Sequence, residues 1–271
     1  MRVLIMADME GVSGIVNWDQ VNGGAPLYEE CRRLYTHEVN AAVRGARAAG
    51  ATEVVAVDCH GAGGGWNFNS FIPELMDDGC DWVSGHVWSR YTELLERGAD
   101  CCVLVGMHAK ADTPDGVLCH TISTTKWRNL WFNDTSVGEV GINAALCGHY
   151  GCPVAFVSGD EATCRESAEL LGDGLTTAAV KRGLSRYAAR HIAPARARQM
   201  IESGVRSALA ARRWARPFVP AKPTTITIEL GTVDHAAAFR GRSGVDVIAP
   251  VKVVSRADDW MTAWNQVWPW A

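Results

Sequence analysis

Basic residues are not in excess in this chain of 271 residues: 26 Lys and Arg stand against 30 Asp and Glu, a formal net charge of −4. Such a balance offers no basic stripe for nucleic acid and no polybasic anchor for a membrane surface. Long hydrophobic runs are also lacking. The apolar stretch within the opening residues, MRVLIMADMEG, is far too short for a signal h-region or a membrane span, and it runs into acids rather than a small-residue cleavage site. A cytoplasmic protein is therefore expected. Nine cysteines occur without a C-x-x-C, an odd count that includes the adjacent Cys101 and Cys102. Neither a disulfide framework nor a thiolate zinc knuckle follows, and the thiols read as reduced, small core residues. No internal repeat or low-complexity segment is present. The Gly-rich run HGAGGGW is not a dinucleotide fingerprint, because the frame starting at Gly61 finds Trp66 at the third glycine. A mobile loop at a pocket rim is the better reading.

What is present is a chain with 48% hydrophobic residues, enough for a substantial core. Short apolar runs at 2–6, 53–58, 81–85, 101–106 and 153–159 read as buried strands. Between the first two, Leu27, Cys31, Leu34, Tyr35, Val39, Ala42, Val43 and Ala46 recur at three- and four-residue intervals before Gly50, which predicts a crossover helix over 26–49. Another helix is expected over 160–171 with Asp160 as its N-cap. Alternating strands and helices give a three-layer α/β/α fold around a mainly parallel sheet. Residues 117–137, VLCHTIST and KWRNLWFNDTS, read as a hairpin near the sheet edge with a turn at Asn133-Asp134. Past residue 172 come a strand at 175–181, a helix at 193–211, a strand at 224–230, a short helix, a strand VIAPVKVV and a final helix. The expected division is an α/β catalytic domain over 1–172 and a smaller C-terminal α+β domain over 173–271. Four of eleven tryptophans fall in the closing DWMTAWNQVWPW, a stripe that core or subunit packing explains better than a cofactor box.

Chemistry-bearing residues gather at strand ends. Residues two apart on a strand point the same way, so Asp8 and Glu10 after the first run present two carboxylates to one place. Like charges that close call for a cation; a solvated strand end with Glu10 capping a helix is the alternative. The second run ends VDCHG, with Asp58 and His60, and another ends VGMHAK, with His108. Open α/β sheets place ligands at such carboxyl ends. Ser136 to Glu139 is a capping-box pattern, which alone makes Glu139 structural. Lys181, Asp160, Glu161, His86, His149 and His235 read as caps or packing and surface residues.

ADMEGVSG, VDCHG, VGMHAKADTPDGVLCHTIS, WFNDTSVGEVGINA and TTAAVKRGLSR occur in the order and spacing of the DppA-like D-aminopeptidases, zinc peptidases with a self-assembling ring architecture, which the chain resembles over nearly its whole length. The resemblance implies two zinc ions per subunit held by Asp8, Glu10, His60, His108 and Glu139, with Asp8 bridging, and an active-site role for His120. Each metal then has three protein groups: Asp8, Glu10 and His60 on one, Asp8, His108 and Glu139 on the other, leaving open positions as catalytic zinc requires. Mixed nitrogen and oxygen ligation also suits manganese or cobalt. Metal-activated hydroxide would hydrolyse short peptides with D-amino-acid N-termini, of the D-Ala-D-Ala type, with His120 as an acid/base or electrostatic group. A homo-oligomeric ring of ten subunits is likewise implied. The chain departs from the family pattern in one extra residue between Thr113-Pro114 and Gly116-Val117, and in the triple-glycine loop after His60, which bears on substrate preference. Alternatives are a metallopeptidase or amidase of other stereochemistry and a non-catalytic peptide-binding accessory to transport. A two-metal phosphoesterase is disfavoured, since no arginine or lysine clamp accompanies the ligand motifs.

Overall fold

The computed structural model describes residues 1–268. The chain runs β1 (Arg2–Ala7), α1 (Tyr28–Ala48), β2 (Glu53–Asp58), β3 (Asp81–Val83), α2 (Glu93–Glu96) and β4 (Cys101–Met107). It continues through β5 (Trp127–Phe132), β6 (Thr135–Val137), α3 (Glu139–His149), β7 (Val154–Asp160), α4 (Glu161–Leu171), β8 (Thr176–Ser185) and β9 (Ala188–His191). The remainder is α5 (Pro194–Ala211), β10 (Thr224–Leu230), α6 (Val233–Ala237), β11 (Val245–Ala249), β12 (Lys252–Ala257) and α7 (Trp260–Val267). No helix among the described residues is long and apolar enough to cross a membrane.

The larger sheet has the order β3-β2-β1-β4-β7-β8-β9, parallel throughout except for β9 against β8. Its central strands are apolar on both faces because both are covered. Val3, Ile5 and Ala7 of β1 join one core with Val39, Ala42 and Val43 of α1 and Ile201, Val205 and Leu209 of α5. Leu4 and Met6, pointing the other way, join a second core with Ile142, Ala145 and Leu146 of α3. That second core extends to Leu130, Phe132, Ile226, Ile228 and Trp264 of the smaller antiparallel sheet, ordered β11-β12-β10-β5-β6, and its helix α7.

The expected helix over 26–49 forms as α1, with Leu27 outside its buried face at 42% exposure. Asp160 caps α4 by accepting from the Thr163 amide. Two expectations are corrected. Residues 117–124 form no strand; the hairpin is β5–β6, turning at Asn133-Asp134 as expected, but it pairs with β10 in the smaller sheet instead of edging the large one. VIAPVKVV is two strands, β11 and β12, turning at Pro250-Val251. The two sheets interleave along the chain: β8 and β9 extend the large sheet, and β5 and β6 belong to the small one. Alternation identifies a strand but not its distant partner, so these pairings were open in the sequence. Trp260 and Trp264 are buried and stacked at 5.7 Å on α7; Trp270 lies outside the described residues.

Candidate active site

Three adjacent parallel strands end at one place: β1 before Asp8 and Glu10, β2 before His60, and β4 before His108. Their close approach depends on two glycines. The Gly11 amide donates to the Gly106 carbonyl at 2.8 Å, and a Cβ on Gly11 would lie 1.9 Å from the Met107 carbonyl oxygen. Gly106 has φ +68°, and its Cβ would meet the Asp8 carbonyl oxygen at 2.1 Å. Neither position admits a side chain without parting the two strand ends.

Asp8 faces two ways. Its Oδ1 lies 3.2 Å from His60 Nδ1, and its Oδ2 lies 3.4 Å from His108 Nε2. Glu10 Oε2 is also 3.2 Å from His60 Nδ1, and Glu139 Oε1 is 3.3 Å from His108 Nε2. All five side chains are buried. Glu139 is the first residue of α3 yet makes no capping hydrogen bond; its Oε1 accepts from the Ile122 amide at 2.7 Å and turns into the cluster. The capping-box reading of Ser136 and Glu139 is therefore corrected.

Backbone carbonyls fix the rings. His60 Nε2 lies 2.8 Å from the Val21 carbonyl, His108 Nδ1 is 2.9 Å from that of Ala109, and His120 Nδ1 is 2.9 Å from that of Leu118. Each carbonyl takes a ring N–H, so the opposite nitrogen of each neutral ring presents its lone pair to the cluster, the arrangement expected around a metal. Asp58, which sequence spacing paired with His60, does not enter the cluster. It accepts from the His60 amide and the Tyr35 hydroxyl, both at 3.0 Å, and from the Ser70 amide, anchoring the loop that carries His60.

The donor set fits a cation. Glu10 Oε2 and His108 Nε2 are buried and make no hydrogen bond. Asp8, Glu10 and His108 place ligand atoms within 4.8 Å of one another, as do His108, His120 and Glu139. Three buried carboxylates this close strain their own ionisation: burial, then the Glu10 charge, pushes Asp8 up to about 7. Burial acts against a charged imidazole at both His60 and His108, but the facing carboxylates win and raise both rings well above the ordinary histidine value. The same pairing keeps Glu10 well below the usual carboxylate range although burial opposes it. Protons are thus drawn to a place where a divalent cation satisfies the same acids.

His120 stands beside these five. Its Nε2 is 3.7 Å from Glu139 Oε1, and its ring stacks on that of His108. Burial, then the His108 charge, lowers its pKa. With Asp8, Glu10, His60 and Glu139 it lines a cavity of about 370 Å³ walled also by Phe68, Trp88 and Lys126.

Sequence reasoning passed over Lys181 as a packing residue. It is fully enclosed on β8, and its ammonium donates to the carbonyls of Glu10, Val12 and Ile15 at 2.5, 2.9 and 2.8 Å, pinning the loop that follows Asp8. Burial brings its pKa down to about 8, with Asp160 and Glu38 opposing. A lysine within a strand pattern carried the only signal. Trp18, edge-on to His120 with ring centroids 5.6 Å apart, was likewise missed.

A family model for D-aminopeptidase matches residues 1–268. The D-aminopeptidase of Bacillus subtilis (strain 168) is 31% identical over 267 residues, covering 98% of this chain and 94% of the relative. Among solved structures, the Zn-dependent D-aminopeptidase DppA from Bacillus subtilis, a self-compartmentalizing protease, matches with a TM-score of 0.91 at 30% identity, covering 98% of this chain and 95% of that chain. A shared fold, near-complete coverage and a cluster of acids and imidazoles at the strand ends agree: the chain belongs to the D-aminopeptidase family.

Proposed function

We propose that the chain is a zinc aminopeptidase that hydrolyses short peptides bearing D-amino-acid N-termini, with Asp8, Glu10, His60, His108 and Glu139 holding two zinc ions. The observation that carries this reading is the division of Asp8, whose two oxygens face different histidines. Each side completes a set of three: His60 and Glu10 with one oxygen, His108 and Glu139 with the other. Zinc in such a site supplies Lewis-acid polarisation of the scissile carbonyl and acidifies water.

The chain's own residues supply the rest. Three carboxylates against two divalent cations leave no negative excess, so the peptide's amino end would be held as the neutral amine, with the cavity of about 370 Å³ beside the cluster taking its N-terminal part. His120, its Nδ1–H engaged by Leu118, keeps Nε2 free to take a proton from attacking water and return it to the departing amine. The low pKa of its ring keeps it unprotonated and ready at neutral pH.

Paired assays of D- and L-aminoacyl dipeptides with zinc-loaded protein, together with metal analysis, test the reading. Hydrolysis restricted to the D-series and two zinc ions per chain are expected. Activity confined to L-peptides removes the stereochemical assignment, and fewer than one zinc per chain with chelator-insensitive hydrolysis removes the metal centre. We further propose cytoplasmic residence, and assembly into a closed homo-oligomer by analogy with the self-compartmentalizing relative, with the ten subunits that the family resemblance implies. Exposed Leu184 and Tyr187 on the β8–β9 hairpin, 66% and 53% accessible, offer apolar surface to a neighbouring copy. Light scattering showing a monomer would refute the assembly.

A further inference from the structure

His120 lines the cavity that holds the acid and imidazole cluster. It also lines a second one, about 380 Å³, walled by Thr113, Thr124, Thr125, Arg128 and Arg186. The two arginines differ. Arg128 lies 3.5 Å from Asp112 and is exposed, whereas Arg186 has no acidic partner among the described residues, and its Nε is buried without a hydrogen bond. Arg186 is nevertheless held in place. Its guanidinium carbon sits 5.6 Å from the ring centres of both Trp18 and Tyr187, and its carbonyl accepts from the Leu118 amide at 2.8 Å. Leu118 in turn accepts from His120, and Trp18 packs edge-on against the same ring. The arginine and the histidine are therefore fixed to one another through a shared backbone segment and a shared aromatic ring.

A half-buried guanidinium without a counter-ion, oriented by two rings and lining a cavity, is a carboxylate receptor. We propose that Arg186 binds the free C-terminal carboxylate of the substrate, so that the enzyme recognises dipeptides by both ends. The inference rests on the aminopeptidase reading, which places the scissile carbonyl at the wall common to both cavities. In a dipeptide the carboxylate lies a single residue beyond that carbonyl, about 3.8 Å per Cα step. His120 and Arg186 each lie 5.6 Å from the Trp18 ring, so a single aromatic side chain bridges the two. Longer peptides carry their carboxylate past the guanidinium and forgo the contact.

The test compares D-alanyl-D-alanine with its C-terminal amide, which differ only in the terminal charge. Zinc-loaded wild-type protein is expected to favour the acid by about tenfold or more in kcat/KM, with the difference in KM. Arg186→Gln is expected to bring the ratio near one, and Arg186→Lys to restore part of it. A general packing defect would lower both substrates together and leave the ratio intact. The same ratio is read by equilibrium titration in a His120→Ala background, where turnover is slow. Equal binding of acid and amide there, or an acid preference that survives Arg186→Gln, overturns the role of Arg186. Preferential binding of the acid that depends on Arg186, without hydrolysis of any peptide by the wild-type protein, supports the carboxylate site and removes the peptidase reading instead.

Discussion

The rings of His108 and His120 lie 12° from parallel with centroids 4.1 Å apart. One belongs to the cluster of acids; the other only rests on it, with Nε2 beyond hydrogen-bond reach of Glu139. The stack holds His120 beside the acid cluster, where its proposed role is proton transfer rather than metal ligation.

Removing His120 should therefore separate catalysis from metal binding. His120→Ala is expected to lower kcat about 10²–10⁴-fold, the range for a lost general acid or base, while zinc content is unchanged. Kinetics paired with metal analysis of the same preparation checks this. A fall in zinc matching the fall in turnover would instead make His120 a ligand.

The acid limb of the pH profile should be displaced downward. Burial and the neighbouring His108 lower the His120 pKa below its ordinary 6.5, and a bound cation nearby acts in the same direction. The neutral ring is the proton acceptor, so kcat should hold as pH falls through about 6.5 and decline only below it. An acid limb centred above the ordinary histidine value would contradict the assignment.

Lys181 offers a test of how the Glu10 loop is held. Lys181→Met retains most of the apolar stem but leaves the buried carbonyls of Glu10, Val12 and Ile15 without their donor. A loss of about 3 kcal/mol in urea unfolding is expected, with weaker zinc retention because Glu10 sits in the released loop. Unaltered stability would show that the three contacts contribute nothing net.

Glu38 should make stability depend on pH. It is buried, accepts from the Ser13 amide at 3.0 Å, and burial raises its carboxyl from 4.5 to about 7. The folded chain thus holds this proton more tightly than the unfolded chain does. The contribution is fully present below pH 4.5 and is lost as pH rises through about 7. Glu38→Gln keeps an acceptor for Ser13 without ionising, so its stability relative to wild type should grow between about pH 5 and about pH 8. Denaturant titrations at both pH values measure the difference, and parallel curves would exclude the effect.

Much of this could be read along the chain, because strands covered on both faces leave continuous apolar runs and their carboxyl ends are marked by Asp8, Glu10, His60 and His108. The convergence of these residues follows from β2, β1 and β4 being adjacent, which the crossover helix α1 already implied for the first two. Glu139 illustrates the limit. Its spacing from Ser136 satisfied a local rule, yet the amide of Ile122 and the ring of His108 hold it elsewhere. Arg186 and Trp18 were invisible for a related reason: they reach His120 across 66 and 102 residues of chain, through a loop that carries no periodicity. The pairing of β5 with β10 is equally distant, and no local pattern distinguished it from an edge of the large sheet.

The mutual intrusion of Gly11 and Gly106 has a consequence for how such an enzyme can diversify. Each glycine leaves room for a carbonyl of the opposite strand end, so the spacing between Asp8 and His108 is set by main chain alone. No single side-chain change can tune it by degrees. New substrate preferences would then arise in the walls, in the loop from Gly61 to Phe68 and at exposed Thr124 and Thr125, where sequence can change while the reacting centre stays as it is.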